Sequence, residues 1–308
     1  MAERAVNGRV LVLIVTYNGM TWIDRCLIAL RTSCQPVTTL VVDNASTDGT
    51  VARIQSTYPE VLLRQSSVNL GFGQANNIGL RSALEQGYDY VFMINQDVYI
   101  YPDTIGNLLR AVVDSEVGIY TPLQLNADGR DLDKHFRDCV HYDMAPGLIA
   151  GALTGNLQPS YESYMTYAAA WFLPVSTLSS IGGFDPIFFH YGEDVHYTSR
   201  VLYHGLTMRL VPAAKIRHDR IEVGNMQMYN HRRILRSFRN AYLDVTRQKN
   251  WWRTFPHLRT WLSSLQGFCH GRWRAPFEVV GAYLSIIWHR RELTANRATN
   301  RRPGPNWL

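Results

Sequence analysis

Short apolar runs alternate with amphipathic segments over the first 120 residues, and this alternation restricts the fold more than any other feature of the chain. The run at 10–15 is apolar throughout and mostly β-branched, which predicts a strand buried on both faces. The segment at 21–32 follows with apolar residues at helical spacing. The pattern repeats, with predicted strands at 40–42, 61–63, 90–94 and 117–120 and predicted helices at 50–58, 73–86 and 102–114. Such an alternation predicts an α/β fold with a mostly parallel sheet wrapped by helices.

The alternation stops after Pro122. Residues 126–143 are polar and mixed, and residues 144–158 are rich in small side chains, so we expect an insertion of loops or short antiparallel strands. Regular structure is predicted to resume with a strand at 168–173, a helix at 193–204 and a strand at 208–211. We therefore expect one domain over residues 1–225, followed by a helical region over residues 226–308.

The charge of the chain is concentrated near its C-terminal end. The net charge is +6, but residues 226–308 contain 15 Lys and Arg against three acidic residues, a net of +12, which leaves −6 on residues 1–225. The same region holds six of the eight tryptophans. Basic residues among tryptophans suit an anionic membrane surface, and a basic helical cap with tryptophans in its core is the alternative. No nucleic-acid-binding module accompanies the charge, so nucleic acid is not an expected partner.

The cysteines and the apolar runs bear on the cellular location. The four cysteines are scattered, without the spacing of a metal site or a redox pair, which favours reduced thiols inside the cell. The first eight residues are polar and do not resemble a signal peptide. The longest apolar runs, at 10–15 and 279–288, are too short to cross a bilayer. We expect a cytoplasmic protein whose membrane contact, through residues 226–308, is peripheral and at the inner face of the cytoplasmic membrane.

Four polar clusters stand where predicted strands end. They are Thr16-Tyr17-Asn18, Asp43-Asn44, the glycine-containing segment 69–77, and Asn95-Gln96-Asp97. An open parallel sheet binds its ligands beyond the carboxyl ends of its strands, so the four clusters should face one crevice. A carboxylate there, such as Asp97, can hold a divalent cation against a diphosphate. Asp43 can accept a hydrogen bond from a base or a ribose hydroxyl, although its segment also fits a simple turn.

The segment 69–77 contains Gly71 and Gly73 ahead of a predicted helix. Such a loop can bind phosphate at the helix N-terminus. It lacks the third glycine of a dinucleotide fingerprint, however, and it does not follow the first strand. A glycine-rich turn before an amphipathic helix is the alternative.

Five motifs, taken in order, resemble the inverting family 2 glycosyltransferases of the GT-A fold, and rhamnosyltransferase-like members in particular. They are Val15-Thr16-Tyr17-Asn18, the segment 41–50 with Asp43 and Asp48, Asn69-Leu70-Gly71-Phe72-Gly73, Asn95-Gln96-Asp97 and Gly192-Glu193-Asp194. The resemblance spans about residues 9–220. It implies a nucleotide-sugar donor such as dTDP-rhamnose or a UDP-sugar, a divalent metal on the diphosphate, and transfer to an acceptor hydroxyl with inversion. The expected acceptor is a glycan or lipid-linked oligosaccharide of surface polysaccharide synthesis.

The resemblance also implies a role for each matching residue. Asp97 would bind Mg2+ or Mn2+, and His218 is a candidate second ligand, although a lone histidine is more often a surface or hydrogen-bonded residue. Asn95 replaces the first carboxylate of the family's Asp-x-Asp pattern, and a neutral amide weakens charge neutralisation at the metal. The residues expected to bind the donor are Thr16, Tyr17, Asn18, Asp43, Asn44, Asn69, Gly71, Asn76, Asn95, Gln96 and Asp97.

Asp194 is the implied catalytic base, with Glu193 as its substitute, because an acceptor hydroxyl must lose its proton as it attacks the sugar. Both acids also suit a helix N-terminus without any catalytic role. Trp171 and Ala170 resemble the acceptor-side segment, where Trp171 could stack on a sugar; a core tryptophan is the alternative. A nucleotidyltransferase and a non-catalytic nucleotide-sugar-binding scaffold are the alternative functions. The first would need a basic loop near the first strand, which residues 16–21 do not provide.

Overall fold

A computed structural model describes residues 8–112, 116–220, 231–246 and 275–308 of the chain. Within these ranges, nine strands form one sheet with helices packed on both faces. This α/β architecture confirms the predicted fold class. Several residues of the basic C-terminal region lie outside the described ranges, namely Trp251, Trp252, Trp261, Cys269 and Trp273.

The N-terminal half of the sheet is parallel, as predicted. Its strands are β1 (Val10–Thr16), β2 (Thr38–Asp43), β3 (Leu62–Gln65) and β4 (Tyr90–Asn95), in the order β3-β2-β1-β4. They are connected by α1 (Ile23–Arg31), α2 (Thr50–Thr57) and α3 (Phe72–Glu85). Alternate residues of a strand point to opposite faces. Val12 therefore packs in the cluster with α1 and α2, whereas Leu13 packs in the cluster with α3.

The other half of the sheet is mixed. Its strands are β5 (Val98–Ile100), β6 (Val117–Asn126), β7 (Tyr161–Glu162), β8 (Ala170–Pro174) and β9 (Thr207–His218). β8 pairs antiparallel with β4 and β6, and β6 runs parallel to β9. The helices of this half are α4 (Thr104–Ala111), α5 (Leu148–Thr154), α6 (Val175–Ile181) and α7 (Glu193–Tyr203).

Two strands are longer than the sequence predicted. β6 continues through Pro122 to Asn126, because a register shift between Pro122 and Leu123 accommodates a residue that cannot donate a ladder hydrogen bond. β9 extends beyond residue 211 to His218. The insertion therefore begins later than expected, and it contains a 3₁₀ helix (Phe136–Val140) and α5 as well as loops.

Three helices, α8 (His231–Leu243), α9 (Ala275–Trp288) and α10 (Arg290–Asn300), form the described part of the C-terminal region. Their apolar residues pack in one cluster with Phe188, which precedes α7. Asn300, at the end of α10, donates a hydrogen bond of 2.8 Å to Asp185. The C-terminal helices thus share a core with residues 1–225. No described helix has the length and apolar character that spanning a bilayer requires.

Candidate active site

The ends of β1, β2 and β4 meet at one edge of the sheet, as predicted. The parallel register pairs Thr16 with Asp43. Oε1 of Gln96 accepts hydrogen bonds from the Thr16 hydroxyl at 2.6 Å and from the backbone N–H of Tyr17 at 3.0 Å. Thr16 is completely buried, whereas Tyr17 is 47% exposed. We expected Thr16 to contact the nucleotide-sugar donor. Its buried side chain instead binds Gln96, which supports the loop after β1.

The loop after β1 is fixed to the turn after β2. Asn18 has a left-handed backbone with φ of 48°. Its N–H donates to the Ser46 hydroxyl at 2.9 Å, and its Oδ1 accepts from the N–H of Thr47 at 2.8 Å. Asp48 accepts a further hydrogen bond of 3.1 Å from the N–H of Met20. These contacts preorganise the two loops on either side of the crevice.

Asp43 carries an unpartnered carboxylate oxygen at this edge. The residue is only 2% exposed, and its Oδ2 accepts a hydrogen bond of 3.1 Å from the N–H of Ser46. Its Oδ1 is buried and has no hydrogen-bond partner among the described residues. Leaving such an acceptor unsatisfied costs about 1–3 kcal/mol, and a ligand N–H or O–H would remove that cost. Asp43 is thus suited to hold a base or a ribose.

Asn44 positions the glycine loop. It is 3% exposed; its Oδ1 accepts from the N–H of Leu70 at 2.7 Å, and its Nδ2 donates to Oδ1 of Asn69 at 3.0 Å. Oδ1 of Asn69 also accepts from the N–H of Gly71 at 2.9 Å. We expected Asn44 to contact the nucleotide-sugar donor. Because its amide binds other residues of the protein, its role is to position the glycine loop. Asn69 itself remains exposed.

Gly71 is required by packing rather than by a phosphate. Its φ is 81°, and a Cβ atom at this position would clash with the carbonyl oxygen of Phe189. That carbonyl accepts a hydrogen bond of 3.0 Å from the N–H of Phe72. Asn76 is 2% exposed, and its side chain donates a hydrogen bond of 2.9 Å to the Phe72 carbonyl within α3. The expected contact of Asn76 with the nucleotide-sugar donor is therefore also corrected to a structural role. The contacts of the glycine loop fit the alternative of a structural turn.

Asp97 and His218 lie side by side, as the candidate metal site requires. The pairing of β5 with β9 places Val98 opposite His218. Oδ1 of Asp97 is 3.3 Å from Nε2 of His218. The Asp97 side chain is 20% exposed, whereas that of His218 is 1% exposed. His218 is the last residue of β9 and not part of a loop trailing a strand, so the sheet fixes its position.

The two predicted catalytic carboxylates begin α7. Gly192 precedes them with φ of 96°. Glu193 is 5% exposed, and burial, followed by the neighbouring Asp194, raises its pKa to about 7. Burial also raises the pKa of Asp194, which is partly exposed and accepts a hydrogen bond of 2.8 Å from the N–H of Val195. Arg236 of α8 opposes both shifts. A carboxylate with a raised pKa is well suited to take up a proton near neutral pH.

Asp194 and Asp133 both act on the buried side chain of Cys139. Burial raises the pKa of Cys139 to about 12, and Asp138, Asp133 and Asp194 add to this shift. Asp133 in turn lies 3.8 Å from His218. The start of α7 also lies against the helix that follows the glycine loop, since a Cβ atom added at Gly73 would be 3.8 Å from Cβ of Glu193.

The comparison with known families agrees with this arrangement. The family described as glycosyl transferase family 2 matches residues 11–163, which include every strand-end cluster of the N-terminal half. The chain belongs to glycosyl transferase family 2. The match ends before α7 and β9, so the carboxylates of this glycosyltransferase at the start of α7, and His218, lie outside it.

Two curated relatives of this glycosyltransferase cover most of its length. N-acetylglucosaminyl-diphospho-decaprenol L-rhamnosyltransferase of Mycobacterium tuberculosis H37Rv is 28% identical over 265 residues, which cover 79% of this chain and 86% of the relative. The dTDP-rhamnosyl transferase RfbF of Shigella flexneri is 24% identical over 251 residues, which cover 77% and 80%.

Solved structures show the same fold at low sequence identity. TarS 1–349 of S. aureus in complex with UDP has a TM-score of 0.58 at 15% identity, covering 95% of this chain and 88% of the TarS 1–349 chain. The mannosyltransferase PcManGT of Pyrobaculum calidifontis in complex with GDP-Man and Mn2+ has a TM-score of 0.55 at 17% identity, covering 96% and 85%. This glycosyltransferase therefore has the GT-A architecture that its motifs indicated.

Asp133 is a residue of this glycosyltransferase that sequence reasoning missed. It is 3% exposed, and its Oδ1 accepts hydrogen bonds of 3.1 Å from the N–H groups of His135 and Phe136. Its Oδ2 accepts from Arg220 at 2.8 Å and lies 3.8 Å from the buried Nδ1 of His218. Burial alone would raise the pKa of Asp133, but Arg220 and His218 outweigh it and hold the pKa below its usual value. The polar insertion around it offered no signal, because its composition is that of a surface loop.

Asp97 and His218 fit a divalent cation. Two ligands at right angles in an octahedral site, each about 2.1 Å from the metal, lie about 3.0 Å apart, and the observed separation of Oδ1 and Nε2 is 3.3 Å. The described residues contain no cluster of three or more His, Cys, Asp or Glu side chains able to hold a metal without help. A cation here would complete its coordination with oxygens of the nucleotide-sugar donor and with water. The amide of Asn95 is partly exposed at the end of β4.

The predicted acceptor contacts of Trp171 and Ala170 are wrong. Both residues are completely buried. The Trp171 ring stacks on Phe184 and packs against Tyr197, and its Nε1 donates to Thr166 at 3.1 Å. Because β8 lies between β4 and β6, helices cover its residues on both faces. No ring face of Trp171 remains for a sugar, and the alternative of a core tryptophan is the one observed.

Proposed function

We propose that this glycosyltransferase moves a hexose from a nucleoside-diphosphate donor to a hydroxyl of a glycan or lipid-linked acceptor in surface polysaccharide synthesis, with inversion at the anomeric carbon. Candidate donors are dTDP-rhamnose and a UDP-sugar. The names of the two relatives, an L-rhamnosyltransferase and a dTDP-rhamnosyl transferase, favour rhamnose. The observation that carries the proposal is the edge of the sheet, where Asp43 at the end of β2 and the Asp97–His218 pair beyond the end of β4 lie on either side of the end of β1.

The donor would lie along the ends of the parallel strands. Asp43 would accept a hydrogen bond from the base or ribose through its unpartnered Oδ1. Tyr17, Asn18 and Asn69 border the same crevice, and Gln96 holds the loop after β1 in place. The nucleotide thus meets loops that are already fixed by hydrogen bonds, which lowers the ordering cost of binding.

Asp97 and His218 would hold Mg2+ or Mn2+ at the diphosphate. A divalent cation there neutralises the negative charge that develops on the leaving diphosphate. The PcManGT complex contains Mn2+, which supports the choice of metal. Asn95 would contribute a neutral amide oxygen in place of a carboxylate, so less of the cation's charge is cancelled before the donor binds. This difference predicts that metal and donor bind together more tightly than either does alone.

Asp194 would act as the base. The acceptor oxygen forms a bond to the anomeric carbon as the bond from that carbon to the diphosphate breaks, and the hydroxyl proton passes to the Asp194 carboxylate. Attack from the side opposite the leaving diphosphate inverts the centre. Burial raises the pKa of Asp194, which increases its affinity for that proton. Glu193 is the substitute, but it is almost fully buried.

The reaction would take place at the inner face of the cytoplasmic membrane. The mycobacterial relative is named for an acceptor that carries a decaprenol lipid, and an acceptor of that kind remains in the bilayer. The proposed lipid-linked acceptor therefore requires the enzyme to reach a membrane surface. Residues 226–308, with their net charge of +12, are the proposed contact.

A screen of dTDP-rhamnose and UDP-sugars, with and without Mn2+, tests the proposal. We expect one donor to support transfer to a polyprenyl-diphosphate sugar and to lose that transfer when EDTA removes the metal. Product release from a nucleoside triphosphate, without any sugar transfer, would instead indicate a nucleotidyltransferase. Donor binding with neither reaction would indicate a scaffold. Transfer that EDTA leaves unchanged would remove Asp97 and His218 from a metal site.

A further inference from the structure

Helix α9 has two apolar faces, and among the residues that the structure describes only one of them packs in a core. Val279, Ala282 and Ile286 are buried against Ile234 and Phe238 of α8. The other apolar residues of α9 are 40% to 85% exposed; they are Phe277, Val280, Tyr283, Leu284, Ile287 and Trp288. We call these six residues the α9 face. Apolar side chains gathered on one exposed helix face mark an interaction surface, whereas single exposed ones do not.

Exposed arginines follow the end of α9, and the sequence around this helix is basic. Glu278 is the only charged residue within α9. Arg290 and Arg291 follow its last residue after the single residue His289, and both are exposed. The wider region 226–308 carries a net charge of +12. An apolar face with two exposed arginines beyond its end complements an anionic surface with an apolar interior.

We propose that the α9 face docks this glycosyltransferase on an anionic lipid bilayer. Phe277, Leu284 and Ile287 would enter the boundary between headgroups and acyl chains, as the apolar faces of interfacial helices do. Tyr283 and Trp288 carry polar groups on aromatic rings, and such residues favour the membrane interface. Arg290 and Arg291 would contact anionic headgroups. A second copy of the chain is a poorer partner, because the exposed Arg290 and Arg291 of the two copies, in regions that each have a net charge of +12, would repel each other.

The position of α9 suits an acceptor held in the same bilayer. α8 packs on α9 through Ile234 and Phe238 and also contacts the start of α7, where Arg236 lies 5.0 Å from the ring of Tyr191. One helix therefore separates the α9 face from the catalytic carboxylates. Packed helix axes lie about 8–10 Å apart, so a lipid-linked sugar needs to reach only about two helix diameters beyond the surface. The link between docking and a lipid-linked acceptor rests on the proposed function, but the docking itself does not.

Vesicle flotation of the full chain tests the proposal. The vesicles contain phosphatidylcholine with about 30% phosphatidylglycerol, and parallel samples contain phosphatidylcholine alone. We expect wild type to float with the anionic vesicles, and Leu284→Glu/Ile287→Glu to lose at least about tenfold in partitioning, because each apolar side chain that no longer enters the bilayer weakens binding several-fold. Leu153→Glu is the matched control, since Leu153 is 83% exposed on α5, outside the α9 face. That variant should float like wild type.

Three outcomes would overturn the docking. They are wild type that fails to float with anionic vesicles, a double variant that floats like wild type, and a wild-type dimer that the double variant abolishes. The last outcome would assign the face to a second copy of the chain. Thermal unfolding of the variants, together with transfer to a water-soluble short-chain acceptor, checks that the double variant folds. Because flotation uses neither donor nor acceptor, an inactive wild type that still floats would contradict the proposed function and leave the docking intact.

Discussion

Two regions of the molecule, the side with Asp133 next to β9 and the side with the carboxylates that begin α7, affect the pKa of their carboxylates in opposite ways. Beside β6 and β9, Asp133 is 3% exposed, and Arg220 and His218 outweigh its burial and keep its pKa low. At the start of α7, burial prevails over Arg236 and raises the pKa of Glu193 to about 7 and that of Asp194 above its usual value. One side therefore keeps its carboxylate ionised, and the other prepares its carboxylates to accept a proton.

We propose that the two sides have different chemical roles. A cation and a diphosphate need groups of fixed charge and fixed position, which the ion pair of Asp133 with Arg220 provides next to His218. A base needs a pKa near the working pH. Neighbouring titratable groups whose environments separate their pKa values mark such a division of roles. The contrast can be tested by removing the charge of one carboxylate at a time.

The largest expected effect comes from Asp194→Asn. The amide keeps the size of the side chain but cannot take the acceptor proton, so we expect transfer to fall by about 10³-fold. Donor affinity, measured by calorimetry with the nucleoside diphosphate and Mn2+, should stay within twofold, since Asp194 would face the acceptor. In wild type, the rate should fall as the pH drops below the raised pKa of Asp194, because the base is then already protonated.

Asp138→Asn is the control for this variant. Asp138 is exposed and, like Asp194, adds to the raised pKa of Cys139, but no role in catalysis is proposed for it. Transfer by the control should match wild type. Near-normal transfer by Asp194→Asn would show that Asp194 is not the catalytic base. If Glu193→Gln were the inactive variant instead, the base would be Glu193.

The second prediction concerns stability. The folded pKa of Glu193, about 7, exceeds its ordinary value of 4.5. Glu193 therefore contributes its full stability below pH 4.5, and this contribution is lost as the pH rises through 7. Complete loss costs about 3 kcal/mol. Glu193→Gln has no charge to lose, so we expect it to be more stable than wild type at pH 8.5 by about that amount and equally stable at pH 4.

Urea unfolding at the two pH values measures this difference. Glu162→Gln provides the comparison, because Glu162 is exposed and its loss should leave the pH dependence unchanged. A Glu193→Gln variant with the same pH dependence as wild type would mean that the Glu193 carboxylate is not desolvated. The contrast between the two sides would then rest on Asp194 alone.

The same two halves differ in how far the sequence predicts them. The parallel half was readable because its strands are buried on both faces and leave continuous apolar runs, as at 10–15. β6 and β9 were cut short, because Pro122 and the alternation of buried with exposed residues conceal their full length. A proline at a register shift and a half-exposed strand both depend on the neighbouring strand. Local sequence does not reveal that neighbour.

The site shows the same limit. Motifs located Asp43, Asp97, Glu193 and Asp194, because each stands at the end of a strand or the start of a helix. They did not distinguish exposed residues from buried ones: the amides of Asn44 and Asn76 and the ring of Trp171 are used inside the protein. Which polar groups are satisfied internally depends on tertiary contacts, so the sequence overestimated the number of donor and acceptor contacts.

The smallest expected effect, and the one that examines the ionised side, comes from Asp133→Asn. Asp133 lies behind His218 as a carboxylate lies behind a metal-ligating histidine, and loss of such a partner typically weakens metal binding by about 10-fold to 100-fold. The 3.8 Å separation from Nδ1 is longer than a hydrogen bond, so we expect about 10-fold. The measurement is Mn2+ affinity by electron paramagnetic resonance in the presence of the nucleoside diphosphate.

Two further variants separate the causes of that loss. Asp131→Asn removes an exposed carboxylate of the same insertion, paired with Arg137, and should leave Mn2+ affinity unchanged. Arg220→Ala removes the other partner of Asp133. If Arg220→Ala reproduced the full loss, Asp133 would act through Arg220 and not through His218. Unchanged Mn2+ affinity in Asp133→Asn would show that this carboxylate serves only the fold of the insertion. The ionised side would then depend on Asp97 and His218 without a second carboxylate behind them.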